Sequence, residues 1–208
     1  MTSLLSWVRE LWERAPAPIT GHPEPPAGPD DLDVDPEGWL VGTRVERVPS
    51  VRHSPLSTPQ GPIAIVWHFT ATDHGTARSL ARRIRSYKRG VDRAASWHVI
   101  VAHDGVIWQS VPLLRGAWHC AKGTIAGHRV NACSIGVELE GRGYTFSHDQ
   151  VWAAGLLVRT LRETYDIQPE QAGHGHSEFD PKRRSDPGPI WSMRELPGLL
   201  QRAYRDVK

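Results

Sequence analysis

An uninterrupted apolar run, Ile63–Trp67, constrains the fold of this 208-residue chain more than any other stretch, and it ends at His68. An apolar run of this kind predicts a buried strand. A side chain at the end of such a strand is held on a rigid element, which suits a metal ligand.

Other segments show the periods of further strands and helices. Residues 77–89 have apolar side chains at helical spacing, with arginines on the outer face. Residues 96–101 and 106–111 flank the turn dipeptide Asp104-Gly105 and predict a hairpin. Residues 134–140 predict another strand, and the sequence Ser147-x-x-Gln150 predicts the start of a long helix. Strands interleaved with helices indicate an α/β (α+β) fold with a central mixed β-sheet flanked by helices.

Composition divides the chain into three regions. Residues 1–15 predict an amphipathic N-terminal helix, residues 16–37 a Pro-rich linker, and residues 38–208 the main domain. We expect the N-terminal helix to dock onto its own domain rather than to anchor the chain to a membrane or a partner, because its polar face carries charges of both signs.

Charge and hydropathy argue against several classes of protein. The formal net charge of +2 is too small to indicate nucleic-acid binding. The arginines of residues 77–89 predict a solvated surface, with weak attraction to a polyanionic envelope as the alternative, to which the N-terminal helix would contribute. The chain has no apolar run of about 18 residues and does not start like a signal peptide, so we expect it to be made in the cytoplasm. We also expect a monomer. Cys120 and Cys133 are expected as reduced thiols, with a disulfide as the less favoured alternative.

The segment from His174 to Pro189 concentrates groups that can bind a metal. It holds His174, His176 and Asp186 in a stretch with no apolar period, so packing alone does not explain them. His68 is the obvious further ligand. Two imidazoles and one carboxylate, with a fourth position left to water, are typical of a catalytic zinc site.

Two charged positions could act beside such a metal. Alternation along residues 134–140 puts Glu138 and Glu140 on one face of the strand. One of them can serve as a proton acceptor in a cleft beside the histidines. Without the histidines, an exposed sheet face or a charged sheet edge would be the favoured explanation for both. Arg184, two residues before Asp186, is either a solvated side chain or a fixed positive charge for a developing oxyanion.

Four motifs occur in an order that resembles a known family: Val66-Trp67-His68, Ala117-Trp118-His119, Asn131-x-x-Ser134-Ile135-Gly136-Val137-Glu138-Leu139-Glu140-Gly141, and Gly175-His176-Ser177 followed by Ser185-Asp186-Pro187-Gly188-Pro189. They resemble the zinc-dependent N-acetylmuramoyl-L-alanine amidases, of the superfamily shared with peptidoglycan recognition proteins and phage endolysins. The lead-in, residues 38–42, is similar to the cytoplasmic anhydro-muropeptide amidases.

The resemblance implies roles for particular residues. His68, His176 and Asp186 match the zinc ligands, and the spacing to the aspartate favours His176 over His174. Glu138 matches the catalytic carboxylate, and Arg184 stands where the family usually has lysine, so its oxyanion role is less directly implied. A further set of residues matches the substrate groove: Trp118, His119 and Asn131. His98 is expected to pack or to hydrogen bond rather than to bind the metal.

The resemblance also implies the reaction, which is hydrolysis of the amide between N-acetylmuramic acid and L-alanine in peptidoglycan or muropeptides. The N-terminal extension and the basic helix slightly favour a wall-lytic endolysin over a cytoplasmic recycling amidase. A third hypothesis is a peptidoglycan-binding module without activity, but the presence of all three ligands favours the enzyme.

Overall fold

The computed structural model describes residues 31–83 and 95–188. The predicted N-terminal helix, residues 16–30 of the predicted linker, residues 84–89 of the arginine-rich helix and the end of the chain from residue 189 lie outside these ranges. Leu32–Val34, which the composition assigns to the linker, forms a strand paired with Leu40–Gly42. Regular structure therefore begins within the last residues of that segment.

Twelve short strands, β1 to β12 in chain order, account for most of the regular structure in the described ranges. They are Leu32–Val34, Leu40–Gly42, Val45–Arg47, His53–Pro55, Ala64–Phe69, Val99–Val101, Ile107–Gln109, Arg115–Ala117, Thr124–Ile125, His128–Arg129, Ser134–Leu139 and His174–Gly175. Three α-helices accompany them: α1, Ala77–Arg83; α2, His148–Tyr165; and α3, His176–Phe179. Two 3-10 turns, Val130–Ala132 and Pro169–Gln171, complete the set.

Six of the strands form the central sheet, in the order β12-β5-β11-β6-β7-β3. The pairs β12/β5, β5/β11, β11/β6 and β7/β3 are parallel, whereas β6 and β7 are antiparallel. The predicted mixed sheet flanked by helices is therefore confirmed. The hairpin predicted around Asp104-Gly105 is the β6/β7 pair, and Gly105 adopts a positive φ of 80° at its turn.

Alternation along β5 and β11 divides the side chains between two faces of the sheet. On one face Ile65, Trp67, Val137 and Leu139 pack against α2 in the largest apolar cluster. On the other face β5 carries Ala64, Val66 and His68, and β11 carries Ser134, Gly136 and Glu138. The candidate functional side chains His68 and Glu138 therefore point away from the long helix.

The long helix begins where its sequence predicts. Ser147 Oγ accepts a hydrogen bond from the Gln150 backbone N–H at 3.0 Å, which satisfies one of the free donors of the first turn. The side-chain amide of Gln150 donates hydrogen bonds to the carbonyls of Val101 and Glu140 instead of closing the capping box. The start of α2 is thus tied to the ends of β6 and β11.

The two cysteines are buried and unpaired, as the sequence predicts. Burial raises the pKa of the Cys133 thiol to about 11. Across the described ranges, none of the helices combines the length and the apolar character needed to span a lipid bilayer.

Candidate metal centre

His68 lies near the carboxyl end of β5, the strand next to the edge strand β12. Its register partner on the parallel strand β11 is Glu138. Side chains at paired positions of neighbouring strands lie on the same face, so the two strands bring an imidazole and a carboxylate to one place. His68 is only 2% exposed.

His176 comes to the same place because the segment before it joins the edge of the sheet. His174 and Gly175 pair with Val66 and Trp67 of β5, and α3 begins directly afterwards at His176. The sequence predicts an irregular loop here. The sequence pattern does not predict this short strand, because the strand pairs through backbone groups of β5 and needs no apolar period.

Asp186 is brought next to His176 by a backbone contact. The Ser177 N–H donates to the Asp186 carbonyl at 3.0 Å, and the Asp186 side chain is almost fully buried. Two distant parts of the sequence therefore form one buried cluster that can hold a metal ion, made of His68, His176 and Asp186.

The facing atoms of the cluster make a small triangle. His68 Nδ1 lies 3.0 Å from both His176 Nδ1 and Asp186 Oδ2, and His176 Nδ1 lies 2.9 Å from Asp186 Oδ2. Ligands bound to a tetrahedral zinc at ~2.0–2.1 Å stand roughly 3.3 Å from one another. The spacing and the chemistry of the donors, two imidazole nitrogens and one carboxylate oxygen, both fit a zinc ion.

Electrostatics in the cluster favour deprotonated ligands. Burial lowers the pKa of His68, which keeps its imidazole neutral. Burial alone would raise the pKa of Asp186, but its close contacts with His176 and His68 hold it below its ordinary value. Neutral imidazoles and an ionised carboxylate are the forms that bind a metal.

Glu138 stands beside the cluster with a perturbed carboxyl group. Burial and the neighbouring Asp186 carboxylate raise its pKa well above the usual value, while the charge of Arg184 opposes the shift. A carboxyl group with raised pKa beside a metal cluster is a candidate for proton transfer.

Glu140, the other glutamate on this face, is occupied by the backbone. Its Oε1 accepts the N–H groups of Thr76 and Ala77 at 2.5 and 2.6 Å, and its Oε2 accepts that of His103 at 2.8 Å. Burial alone would raise its pKa, but these donors lower it. Of the two glutamates whose roles the sequence leaves open, only Glu138 is electrostatically coupled to the cluster.

Arg184 is exposed, and hydrogen bonds to Asp180 hold the backbone turn that carries it. Its backbone N–H donates to the Asp180 carbonyl at 2.9 Å. The buried Asp180 carboxylate accepts from Lys122 Nζ at 2.9 Å and from Arg183 Nε at 2.7 Å. Sequence reasoning missed Asp180, because its partner Lys122 lies 58 residues away and no local pattern marks the contact.

The three residues predicted to line the substrate groove differ in their surroundings. Trp118 is half-buried, and its indole N–H donates to Ser54 Oγ at 2.9 Å. His119 is 9% exposed, with its ring against His68. Asn131 Oδ1 accepts the backbone N–H groups of His119 and Cys120 at 3.1 and 2.6 Å.

The remaining two histidines of interest are engaged elsewhere. His174 contacts Glu178 and Gln171, each at 2.9 Å, and has no place in the cluster. His98 Nδ1 accepts the Gly136 N–H at 2.9 Å, and its Nε2 lies 2.7 Å from the Arg115 carbonyl oxygen. His98 therefore joins strands, in agreement with its predicted structural role.

Comparisons with known proteins agree with this geometry. Residues 58–189 match the Amidase_2 family model, described as N-acetylmuramoyl-L-alanine amidase. The chain is 33% identical over 188 residues to 1,6-anhydro-N-acetylmuramyl-L-alanine amidase AmpD of Escherichia coli K12, covering 80% of this chain and 96% of AmpD.

Solved structures share the fold. A selenomethionine derivative of AmpD superposes with a TM-score of 0.66 at 24% identity, covering 80% of this chain and 98% of that one. The E. coli amidase AmiD, in complex with the substrate anhydro-N-acetylmuramic acid-L-Ala-D-gamma-Glu-L-Lys, superposes with a TM-score of 0.52 at 27% identity, covering 81% and 65%. The matched span contains all three residues of the candidate metal cluster and Glu138, and this chain belongs to the N-acetylmuramoyl-L-alanine amidase family of hydrolases.

Proposed function

We propose that this chain uses a zinc ion to hydrolyse the amide bond between N-acetylmuramic acid and L-alanine in peptidoglycan fragments. The observation that carries the proposal is the convergence of three metal-binding atoms within 3.0 Å of one another, beside a carboxyl group in register with one of them. His68, His176 and Asp186 would hold the ion. A zinc ion in such a site polarises a carbonyl group and lowers the pKa of a water to about 7.

Glu138 would act as the proton carrier. It accepts the proton of the attacking water and returns it to the nitrogen of L-alanine as the amide bond breaks. Its raised pKa supports this role, because a carboxyl group with higher proton affinity takes a proton more readily than an ordinary glutamate.

Arg184 would stabilise the oxyanion that develops on the lactyl carbonyl. Its charge already acts on Glu138 and on His68. A guanidinium in place of the family's usual lysine keeps the positive charge but presents it as a planar fork. Trp118, half-buried next to His119, would contact the substrate.

Two substrates satisfy this chemistry. The sequence slightly favours the intact wall, whereas the relatives support a soluble anhydro-muropeptide at least as well, because this chain matches AmpD over 96% of AmpD's length. Weak attraction to an anionic envelope is compatible with either substrate. A cleft of about 500 Å³ at the far edge of the sheet supports it, since Arg78 and Arg82 line its walls beside Glu46 and the Asp35-paired Arg47.

The test is product analysis by mass spectrometry after the zinc-loaded protein meets intact sacculi and soluble anhydro-muropeptides in parallel. Free stem peptides from either substrate support the amidase, and the faster substrate identifies the role. His176→Ala serves as the control, since it should lose both zinc and turnover. Binding of both substrates without cleavage of either would replace the enzyme with a recognition module.

A further inference from the structure

His119 lies behind the metal-ligand cluster, on the side of His68 that faces away from Asp186. Its Nδ1 is 3.1 Å from His68 Nε2, and the two rings meet edge to face with centroids 5.1 Å apart. With 9% exposure, the ring offers little surface to a substrate.

The hydrogen bonds around His119 form a chain in which every donor has an acceptor. If His68 Nδ1 faces the metal, the single proton of its neutral ring is on Nε2 and is donated to His119 Nδ1. The proton of His119 is then on Nε2, which lies 3.4 Å from Ser134 Oγ. The Ser134 hydroxyl in turn donates to the Val130 carbonyl at 2.7 Å. This series of hydrogen bonds ends on a backbone carbonyl and fixes the tautomers of His68 and His119.

The surrounding residues make a recess for this ring. Asn131 Oδ1 holds the backbone of His119 and Cys120 through two hydrogen bonds. Below the ring is Gly136, where any Cβ would overlap the imidazole of His119. Two positions, Asn131 in the 3-10 turn Val130–Ala132 and Gly136 on β11, are thus adapted to the place of one side chain.

We propose that His119 is a positioning residue for the metal ligand His68, held by Ser134 and Asn131, and that it does not bind substrate. The inference rests on the proposed zinc site. It assigns a different role to His119 and Asn131 from the substrate contact implied by the family resemblance. Partners that accept the outer N–H of a ligating histidine orient the ring and raise its basicity.

A measurement of zinc affinity tests this positioning role independently of catalytic activity. We expect His119→Leu, which removes the acceptor, to weaken zinc binding by about 10- to 100-fold in competition with a chelator. His119→Asn places Oδ1 near the position of Nδ1 and should recover most of the affinity. The absorption bands of the cobalt-substituted protein should shift in the leucine variant and return toward the native spectrum in the asparagine variant.

Ser134→Ala provides a second, milder variant, which should weaken zinc binding less than His119→Leu. Circular dichroism of the metal-free proteins controls for folding, and if the leucine variant does not fold, the asparagine and Ser134→Ala variants decide the question. Native zinc affinity in His119→Leu, or equal loss in the leucine and asparagine variants, would overturn the proposal. So would a raised KM at saturating zinc with unchanged affinity for the metal. Because zinc binding is measured directly, failure of the amidase reaction would leave these results interpretable.

Discussion

Glu138 and Glu140 stand two residues apart on one strand and have opposite environments. Glu140 accepts three backbone N–H groups, whereas Glu138 lies beside the ligand cluster with a raised pKa. A carboxylate that accepts several backbone N–H groups has a lowered proton affinity, which fits a structural role. A carboxylate with a raised proton affinity fits a role in proton transfer.

We predict that Glu138→Ala keeps its fold and its zinc but loses turnover by at least ~100-fold, the lower end of what general acid-base catalysis supplies. Glu140→Gln is the matched variant on the same strand. It should unfold more easily, by about 1–3 kcal/mol, because an amide N–H₂ would face backbone donors. At a temperature where it is folded, its turnover should stay near the native value. If Glu140→Gln loses turnover and Glu138→Ala keeps it, the assignment of the two glutamates is reversed.

In the proposed mechanism, Arg184 affects the pH dependence of the reaction through Glu138. The base must be deprotonated, so kcat falls as pH drops through the pKa of Glu138. The positive charge of Arg184 lowers that pKa against the effect of burial. We predict that Arg184→Gln shifts the acidic limb of the kcat profile to higher pH and lowers kcat by roughly 10- to 100-fold. Arg184→Lys should leave the acidic limb at its native pH. If the acidic limb does not move in Arg184→Gln, the charge of Arg184 does not control the pKa of Glu138.

At the scale of elements, His98, directly before β6, links the strands β11 and β8 through one neutral ring. Its Nδ1 accepts from Gly136 of β11, so its proton is on Nε2 and is donated to Arg115 of β8. Burial lowers its pKa to about 4. A protonated ring would turn a second N–H toward the Gly136 donor, so the folded chain resists protonation at this position.

This shift has a defined effect on stability. The folded-state pKa is below the unfolded value, so the contribution of His98 is complete above pH 6.5 and is lost as pH falls from 6.5 to about 4. The loss corresponds to about 3 kcal/mol. We predict that denaturant unfolding of His98→Asn varies less with pH across this window than that of the native protein. Parallel profiles for the two proteins would show that another group carries the pH dependence.

Some elements follow directly from the sequence and others do not. The strands β5 and β11 and the helix α2 have clear apolar periods, and the structure places them where those periods predict. The strand at His174 and the single helical turn after it have no such period, because pairing with β5 and a bond from the Gly175 N–H to Glu178 stabilise them. Motifs could identify His68, His176 and Asp186, but the position of His119 behind His68 depends on a contact between residues 51 positions apart.

At the scale of the whole molecule, the site lies where three distant segments meet near the carboxyl ends of parallel strands. β5 supplies His68, its neighbour β11 supplies Glu138, and the segment that joins the other edge of β5 supplies His176 and Asp186. Crevices at the carboxyl ends of parallel strands are common ligand sites in open α/β sheets. One face of these strands packs its apolar side chains against α2. The opposite face carries His68 and Glu138.

The most direct test of the account is hydrolysis of a soluble anhydro-muropeptide by the zinc-loaded protein in water labelled with heavy oxygen, followed by mass spectrometry of both products. Attack by water on the lactyl carbonyl predicts one heavy oxygen in the carboxyl group of the muramic acid product and none in the released peptide, which begins with a free L-alanine amine. The label should be absent from reactions with His176→Ala. Label in the peptide, or cleavage at any other bond, would contradict the proposed reaction.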